Sequence, residues 1–232
     1  MHVRSKVLTR PTLFGVPLPK ALRRLAPDFV RNDPRIRAVA VGRGLIPPRS
    51  MHSAVESAAL SRLAAGRHTA VEVGVYEGAS AVTLCHALAS CATLHLVDPF
   101  GHHPTALQPG QAAVEHATRR VVERAAAHRG TRLVWHVAFS ADVARAWQEG
   151  FCDFIFVDGD HSEQGCRLDW DLWHPLVAPG GLLALHDARL GAADGRGLPG
   201  PTAVADAVLR PPPRGWSVHE EIDSLVVARR DA

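Results

Sequence analysis

Long apolar runs and internal repeats are missing from this sequence of 232 residues. No apolar run approaches the roughly 18 residues that a membrane-spanning helix needs, and the glycines follow no collagen-like period. The hydrophobic share of 47% excludes disorder of the whole chain, because such a composition can bury a core. The length is typical of one domain, or of one domain with an arm.

Cysteine is scarce, and its spacing carries no recognisable site. The four residues Cys85, Cys91, Cys152 and Cys166 form neither a C-x-x-C pair nor a zinc-binding spacing. This favours reduced thiols in a cytoplasmic protein over a disulfide framework. No N-terminal signal peptide is expected, because three prolines between residues 11 and 19 interrupt any apolar segment there.

The net charge of +3 hides an asymmetry along the chain. Residues 1–50 carry 11 basic and two acidic residues, a net charge of +9, whereas the rest of the chain has a net charge of −6. Nucleic acid, a membrane and plain solvation compete as explanations of such a basic segment. We expect two parts: a basic arm over residues 1–49, which covers the domain or mediates oligomerisation, and a domain over residues 50–232.

Short apolar strands alternate with helical stretches from residue 69 onward. Strands are predicted at 70–74, 93–98, 132–137, 153–158 and 181–186, with helices at 54–64, 79–89, 112–128, 141–149 and 162–176. Because helical crossovers join parallel strands, these five strands should form a parallel sheet covered on both faces. Two further strands, at 216–220 and 224–228, are so close that only an antiparallel hairpin can join them. The predicted fold class is α/β.

A glycine-rich turn follows the first strand. Gly74 and Gly78 would let the backbone approach a ligand at the carboxyl edge of the sheet, where open α/β sheets bind ligands. The fingerprint G-x-G-x-x-G is absent, because Tyr76 stands in place of its second glycine. The second strand ends at Asp98, whose carboxylate can accept both hydroxyls of a ribose. These features predict a nucleoside-containing cofactor, with a packing turn and a loop cap at Asp98-Pro99 as the structural alternatives.

Four parts of the chain together resemble the class I S-adenosylmethionine (SAM)-dependent methyltransferases. They are 72–78, Asp98, 153–161 and 179–187. Among these enzymes the sequence is most similar to the small O-methyltransferases that act on sugars and catechols, and the similarity extends over about residues 50–230. The resemblance implies a Rossmann-like, doubly wound, seven-stranded sheet that is mainly parallel and whose C-terminal strand is antiparallel.

The same resemblance implies which residues bind SAM. The residues expected at its methionine part are Glu72, Gly74 and Gly78, and Asp98 would hold its ribose. The residues expected at its adenine are Ala138, Phe139 and Ser140. We also expect Ser80 and Asp158 to contact the cofactor.

Two aspartates, Asp158 and Asp187, end the fourth and fifth strands. Adjacent strands lie about 4.8 Å apart, so both carboxylates can converge on one cation at the carboxyl edge. A hard cation with oxygen ligands suits Mg²⁺, which would lower the pKa of a hydroxyl that accepts the methyl group. The alternative is a pair of strand-end caps in a fold that needs no metal.

Two histidines neighbour these aspartates. His161 follows Asp158 by three residues and His186 directly precedes Asp187. Either could be the general base, because an ordinary histidine is partly neutral at physiological pH. We favour His161, which opens the loop at the mouth of the site, whereas alternation along the strand should point His186 away from the cation. The predicted catalytic residues are His161 and Asp158, and Asp160 is the spare carboxylate for a third metal ligand.

The leading hypothesis is methyl transfer from SAM to a hydroxyl of a small molecule or sugar, assisted by Mg²⁺. The alternatives are a metal-dependent hydroxylase-like enzyme on the same scaffold and an RNA methyltransferase that uses the basic arm. No aromatic-interleaved basic stripe follows Arg49, which argues against RNA, and no membrane partner is expected. The glycine-rich loop over 189–201 is either a mobile lid or a flexible surface loop. A homo-oligomer could form through the arm and the apolar helix at 54–64.

Overall fold

The computed structural model describes residues 33–102, 114–192 and 195–232, in which one seven-stranded sheet lies between two layers of helices. The strands are β1 (Thr69–Val73), β2 (Thr93–Val97), β3 (Arg132–His136), β4 (Cys152–Val157), β5 (Val177–Leu185), β6 (Trp216–Ile222) and β7 (Leu225–Arg230). The helices are α1 (Pro34–Gly42), α2 (Ala54–Ala64), α3 (Ala79–Ala87), α4 (Glu115–Ala127), α5 (Ser140–Arg145), α6 (Glu163–Trp173) and α7 (Pro199–Leu209). Short 3-10 turns lie at Phe100–His102 and His174–Leu176.

The strand order across the sheet is β3-β2-β1-β4-β5-β7-β6. Strands β1 to β5 pair in parallel, whereas β7 is antiparallel to both of its neighbours, β5 and β6. This confirms the predicted α/β fold with a mainly parallel sheet and an antiparallel C-terminal strand. The order reverses beside β1, so the carboxyl ends of β1 and β4 flank the crevice in which such sheets bind ligands.

Several element bounds differ from the predicted ones, among them those of β5, α5 and α4. Strand β5 begins at Val177 rather than at residue 181, because its pairing with β4 starts there. Helix α5 ends at Arg145 rather than at residue 149. The chain turns after it: the indole Nε1 of Trp147 donates to the Gly150 carbonyl at 2.8 Å, and Gly150 has a φ of 80°. Helix α4 begins at Glu115, and residues 112 and 113 of its predicted range lie outside the described residues.

Both faces of the sheet are covered, which explains the nearly continuous apolar character of its central strands. Alternate residues of β1 face opposite layers: Ala70 packs with α2, α3 and α4, and Val71 packs with α5, α6 and α7. Fully buried side chains such as Leu84 on the first side and Trp173 on the second fill these layers. The core therefore holds the carboxyl ends of the strands at one edge.

The apolar side of α2 is occupied within the chain. Its residues Ala59, Leu60 and Leu63 are buried in the cluster that also contains α3. These apolar residues have partners in the same chain, whereas Val55 of the same helix is 58% exposed, and a homo-oligomer formed through α2 and the arm stays a prediction. Among the described residues, no helix is both long enough and apolar enough to cross a membrane.

The described part of the basic arm lies against the domain. Helix α1 packs on α4, and an Arg124 guanidinium nitrogen donates to the carbonyl of Gly42 at 2.8 Å. Arg37 of α1 donates to both carboxylate oxygens of Glu77, at 2.9 and 2.6 Å. Glu77 belongs to the turn after β1, and it also accepts from the backbone N–H of Arg49 at 2.7 Å. Some of the arm's positive charge is thus neutralised by an acid of the domain, and the role of the whole arm stays a prediction.

Candidate functional site

The glycines in the turn after β1 are required by internal packing. Gly74 has a φ of 87°, and a Cβ at this position would lie 2.0 Å from the Asp158 carbonyl oxygen. Gly78 has a φ of 86°, and a Cβ there would lie 2.8 Å from a methyl group of Val122 on α4. The packing alternative is therefore correct for both positions, whether or not they also face a ligand. The contact at Gly74 brings the turn after β1 against the residue that ends β4.

Glu72 is a fully buried acid on β1. Its Oε1 accepts a hydrogen bond from the Ser80 hydroxyl, whereas its Oε2 is buried without a hydrogen-bond partner among the described residues. Burial raises the pKa of Glu72 well above its ordinary value, although the Ser80 hydroxyl opposes the rise. The structure thus joins two predicted cofactor residues and leaves one carboxylate oxygen free for a ligand donor.

The carboxylate of Asp98, directly after β2, holds the turn after β1. Its Oδ2 accepts from the backbone N–H groups of Val75 and Tyr76, both at 2.8 Å, and its Oδ1 accepts from Phe100 at 2.6 Å. A carboxylate oxygen accepts about two hydrogen bonds, so one site on Oδ1 remains for a ligand hydroxyl. Asp98 is therefore both the loop cap named as its structural alternative and a candidate ribose residue for one hydroxyl rather than two.

The segment after β3 holds the residues predicted at the adenine. The Ser140 hydroxyl accepts from the indole Nε1 of Trp173 at 2.7 Å and hydrogen-bonds the Asp169 carboxylate. Asp169 is 4% exposed, and this burial raises its pKa to about 6, although the hydrogen bond to Ser140 opposes the rise. Phe139 is 41% exposed, and Ala138 lines a cleft of about 390 Å³. Ser140 is thus rigidly held, whereas Phe139 is partly exposed and Ala138 borders the cleft.

Four side chains meet at the carboxyl ends of β4 and β5. One ligand atom each from Asp158, His161, His186 and Asp187 lies within 4.8 Å of all the others. His161 Nε2 lies 3.3 Å from Asp158 Oδ1 and 3.3 Å from Asp187 Oδ2. His186 Nδ1 lies 3.0 Å from Asp158 Oδ1 and 3.6 Å from Asp187 Oδ2. The predicted convergence of the two aspartates is present, and both imidazoles lie between them.

The position of His186 differs from the one expected from strand alternation. Strand β5 ends at Leu185, and Asp187 has a φ of 54°. The alternation rule no longer applies past the end of the strand, because a residue in the left-handed region turns the chain. The turn directs His186 and Asp187 toward the same place, so both reach Asp158.

Both imidazoles hold their protons more firmly than a free histidine does. Hydrogen bonds to Asp158 and Asp187 raise the pKa of His161 to about 9. Burial lowers the pKa of His186, but the charge of Asp158 and hydrogen bonds to Asp158 and Glu56 outweigh burial and raise it to about 10. The assumption of an unperturbed histidine is therefore wrong for both, because each ring sits between carboxylates.

His52 is a site residue that the sequence did not reveal. It lies just before α2, and its Nε2 is 3.2 Å from Asp158 Oδ2. Its ring makes an edge contact with the His186 ring, with centroids 4.5 Å apart. Burial raises the pKa of Asp158, but the charge of His186 and hydrogen bonds from His161, His186 and His52 hold it well below its ordinary value. No motif surrounds His52, and a contact across 106 residues leaves no local signal.

Glu56 is a second site residue that the sequence did not reveal. It is fully buried on α2, and its Oε2 lies 3.4 Å from His186 Nε2. Its Oε1 accepts from the backbone N–H and the hydroxyl of Ser224, at 3.0 and 2.6 Å. Oε2 also accepts from the Ser53 N–H at 2.8 Å, which completes a capping box. Burial raises the pKa of Glu56, but hydrogen bonds from His186, Ser224 and Ser53 lower it to about 2.

Asp160, the predicted spare ligand, lies outside the four-residue cluster. Its Oδ1 accepts from the Ser162 N–H at 2.8 Å just before α6, so it orders the start of a helix instead.

The loop over 189–201, in its described residues, packs on the site: the Leu198 N–H donates to the Asp187 carbonyl at 2.8 Å. A Cβ at Gly200 would lie 2.3 Å from the His161 carbonyl oxygen, so the close approach of this loop to His161 requires a glycine, and the role of the loop stays a prediction.

The donor set of the cluster fits a divalent cation. Two carboxylates supply negative charge, and two imidazoles supply nitrogen donors at the same point. Oxygen ligands suit Mg²⁺, whereas imidazole ligands suit transition metals. The residues that would hold an ion are thus Asp158 and Asp187, as predicted, together with His161 and His186.

Comparison with known proteins adds a family and a fold. A family model described as a methyltransferase domain matches residues 71–188, just over half of the chain. This match begins within β1 and contains β2 to β5 and all four residues of the cluster.

Solved structures with a similar fold include two O-methyltransferases and one N-methyltransferase. The Bacillus cereus O-methyltransferase in complex with SAH is 19% identical, with a TM-score of 0.58 over 84% of this chain and 89% of that one. TomG from Streptomyces achromogenes, an O-methyltransferase involved in tomaymycin synthesis and solved with SAM, is 18% identical, with a TM-score of 0.58 over 84% and 88%. The N-methyltransferase NodS from Bradyrhizobium japonicum is 19% identical, with a TM-score of 0.50 over 76% and 95%. At these identities the likeness shows a shared fold.

Proposed function

The chain belongs to the methyltransferase-domain family, and from this premise we propose that it transfers a methyl group from SAM to a hydroxyl of a small molecule or sugar. The observation that carries the choice of acceptor is the cluster at the ends of β4 and β5, where Asp158, His161 and Asp187 meet. A hydroxyl must lose its proton as it attacks the methyl group, and paired carboxylates with an imidazole can take up that proton.

The proposed cofactor site lies along the carboxyl ends of β1 and β2. In the ionised form of Glu72, Oε2 is a buried acceptor without a partner among the described residues, and the cationic amino group of the methionine part of SAM would stabilise that form. The remaining acceptor site of Asp98 Oδ1 suits one ribose hydroxyl. SAH and SAM, bound in two of the structures with a similar fold, support this choice of cofactor. Gly74 shapes the turn between these two acids.

At the far end of the proposed cofactor, Phe139 and Ser140 would border the adenine. Phe139 is 41% exposed. Trp173 and Asp169 fix the Ser140 hydroxyl. Ser80 acts through Glu72, whose Oε1 it holds.

In the proposed reaction, the acceptor oxygen attacks the methyl carbon of SAM. A carbon–oxygen bond forms, the carbon–sulfur bond breaks with its electron pair left on sulfur, and S-adenosylhomocysteine (SAH) departs as a neutral thioether. The hydroxyl proton goes to Nε2 of His161, whose side chain is 40% exposed at the mouth of the site. Asp158 and Asp187 stabilise the resulting imidazolium, because each lies 3.3 Å from that nitrogen.

The raised pKa of His161 sets a condition on this role. At about 9, this pKa keeps the ring protonated at neutral pH while both carboxylates face it. His161 becomes a base when it has lost that proton, at alkaline pH; with a cation in the cluster, the same nitrogen would be a ligand of that cation instead. A divalent cation bound by Asp158 and Asp187 would polarise the acceptor oxygen. The two aspartates by themselves favour Mg²⁺ as this cation.

The test is SAH formation by the full-length chain with catechol, sugar and amine acceptors, with and without a chelator. We expect turnover with a hydroxyl acceptor, and His161→Gln should lower kcat by about 100-fold or more while SAH affinity is unchanged. His219→Gln is the matched control, because His219 is an exposed histidine of β6 outside the cluster. Turnover with amines alone would contradict a hydroxyl acceptor, and NodS shows that this fold also serves N-methyl transfer.

A further inference from the structure

We propose that the cluster at the ends of β4 and β5 is a site for a divalent transition-metal ion, with His186 as a ligand that Glu56 orients. This inference deepens the proposed function, because it names the class of ion that these residues select. The role of the ion in methyl transfer rests on the proposed function, whereas the binding of the ion does not. The two aspartates alone would favour Mg²⁺, and the full set of four residues leads to a different class of ion.

The spacing of the four donors is that of a ligand cage. Ligands about 2.1 Å from an ion lie about 3.4 Å apart in a tetrahedron and about 3.0 Å apart as neighbours in an octahedron. The two His161 distances to Asp158 and Asp187 are both 3.3 Å. The corresponding His186 distances are 3.0 and 3.6 Å. These four of the six donor pairs fall near these values and the other two pairs lie within 4.8 Å, so an ion could enter with small movements of the side chains.

The donor types favour a transition metal over Mg²⁺. Half of the four ligand atoms are imidazole nitrogens. Mg²⁺ is a hard ion that prefers oxygen ligands and keeps several waters, whereas imidazole suits zinc, iron, nickel and copper ions. Two carboxylates with two imidazoles therefore form a mixed oxygen and nitrogen set, which binds cobalt and zinc ions better than magnesium.

Glu56 provides an independent reason to place His186 among the ligands. Histidine ligands of metals almost always donate their second ring N–H to a carboxylate, a carbonyl or water. His186 Nε2 faces Glu56 Oε2 at 3.4 Å, which leaves Nδ1 directed toward the two aspartates. Ser224 and Ser53 hold the Glu56 carboxylate in place. The His186 side chain is 1% exposed and that of Glu56 is 0% exposed, so the ring has little freedom to turn.

His52 positions the opposite side of Asp158. Its Nε2 lies 3.2 Å from Asp158 Oδ2, while Asp158 Oδ1 faces His161 and His186. The two oxygens of this carboxylate are thus divided, one held by His52 and the other presented to the cluster. His52 is a positioning residue in this arrangement, because it acts on the site through Asp158.

The experiment measures metal binding by the full-length chain, without an affinity tag and after treatment with a chelator. Co²⁺ and Mg²⁺ are titrated separately by calorimetry, and the visible absorption of Co²⁺ reports nitrogen coordination. We expect Co²⁺ to bind at least about 100-fold more tightly than Mg²⁺. His186→Gln and Glu56→Gln should each weaken Co²⁺ binding by about 10- to 100-fold, and the control His219→Gln should leave it unchanged.

A second ligand variant guards against loss of folding. If His186→Gln fails to fold, His161→Gln, at a more exposed position, should also weaken Co²⁺ binding by at least 10-fold and change its absorption bands. Equal affinity for Mg²⁺ and Co²⁺, or Co²⁺ binding unaffected by the histidine variants, would overturn the inference, as would the absence of binding. Neither cofactor nor acceptor is present in these titrations. Selective Co²⁺ binding without any methyl transfer would therefore defeat the proposed function alone, whereas methyl transfer without selective binding would defeat this inference alone.

Discussion

Asp169 is a buried acid whose charge should cost the fold stability at neutral pH. It is 4% exposed on α6, and burial raises its pKa from 3.8 to about 6. When folding raises the pKa of an acid, its ionisation lowers the stability of the fold. This loss of stability is fully present at pH values above the pKa of the acid in the folded state. It disappears as the pH falls below the pKa in the unfolded state, because both states are then protonated. At about 1.4 kcal/mol per pKa unit, the cost is about 3 kcal/mol at pH 7 and about 0.6 kcal/mol at pH 4.

The perturbation is Asp169→Asn, which removes the charge and keeps an acceptor for the Ser140 hydroxyl. The free energy of unfolding of the variant should exceed that of the wild type at pH 7. Burial of the new amide N–H₂ group costs about 1–2 kcal/mol. The net gain in the free energy of unfolding should therefore be about 1–2 kcal/mol. This burial cost is the same at every pH. The difference between variant and wild type should therefore shrink by about 2 kcal/mol between pH 7 and pH 4.

The assay is urea unfolding of both proteins at pH 7, 5 and 4. Asp171→Asn is the matched control, because Asp171 lies on the same helix with 47% of its side chain exposed. Its substitution should change the free energy of unfolding by no more than about 0.5 kcal/mol. A variant-to-wild-type difference for Asp169→Asn that stays constant between pH 7 and pH 4 would refute the argument, since the effect would then not come from ionisation.

Three further substitutions test the turn after β1. Asp98→Ala should weaken SAH binding by about 10- to 100-fold in calorimetry, because it removes a candidate ribose acceptor and the cap of this turn. Unchanged SAH affinity would exclude Asp98 from the cofactor site. Gly74→Ala should lower the free energy of unfolding by at least about 2 kcal/mol, since its Cβ would meet the Asp158 carbonyl; a neutral effect in urea unfolding would disprove that contact. Arg37→Met should lower the free energy of unfolding by about 2 kcal/mol in the same assay, because it leaves Glu77 without its bidentate partner. Arg35→Met is the control, and an equal decrease in this control would show that the Arg37–Glu77 pair does not stabilise the fold.

Much of the fold could be predicted, because its signals are local. Strands β1 to β5 are short apolar runs separated by helices, a pattern that parallel strands buried on both faces must show. The hairpin of β6 and β7 followed from a link too short for a crossover. The helix over 141–149 was predicted too long, because the turn at Trp147 and Gly150 depends on a hydrogen bond that composition does not reveal.

The candidate site was predictable only where it depends on strand ends. Asp158 and Asp187 meet because neighbouring parallel strands end at one edge. His186 was misplaced, because the left-handed turn at Asp187 lies past the range of strand alternation. The capping box of Ser53 and Glu56 is visible in the sequence as a helix start, but the sequence does not show that its acid also reaches a histidine 130 residues away.

The sequence by itself determined the order of the strands and helices, the buried faces of the sheet and the edge at which its acids collect, because periodicity and strand polarity are properties of the local chain. Only the tertiary structure decided what surrounds those acids. His52 and Asp158 are 106 residues apart, and Glu56 and Ser224 are 168 residues apart. Contacts at such separations arise from the packing of α2 and β7 beside β5, which no local pattern encodes. That packing places His52 against Asp158 and Glu56 against His186.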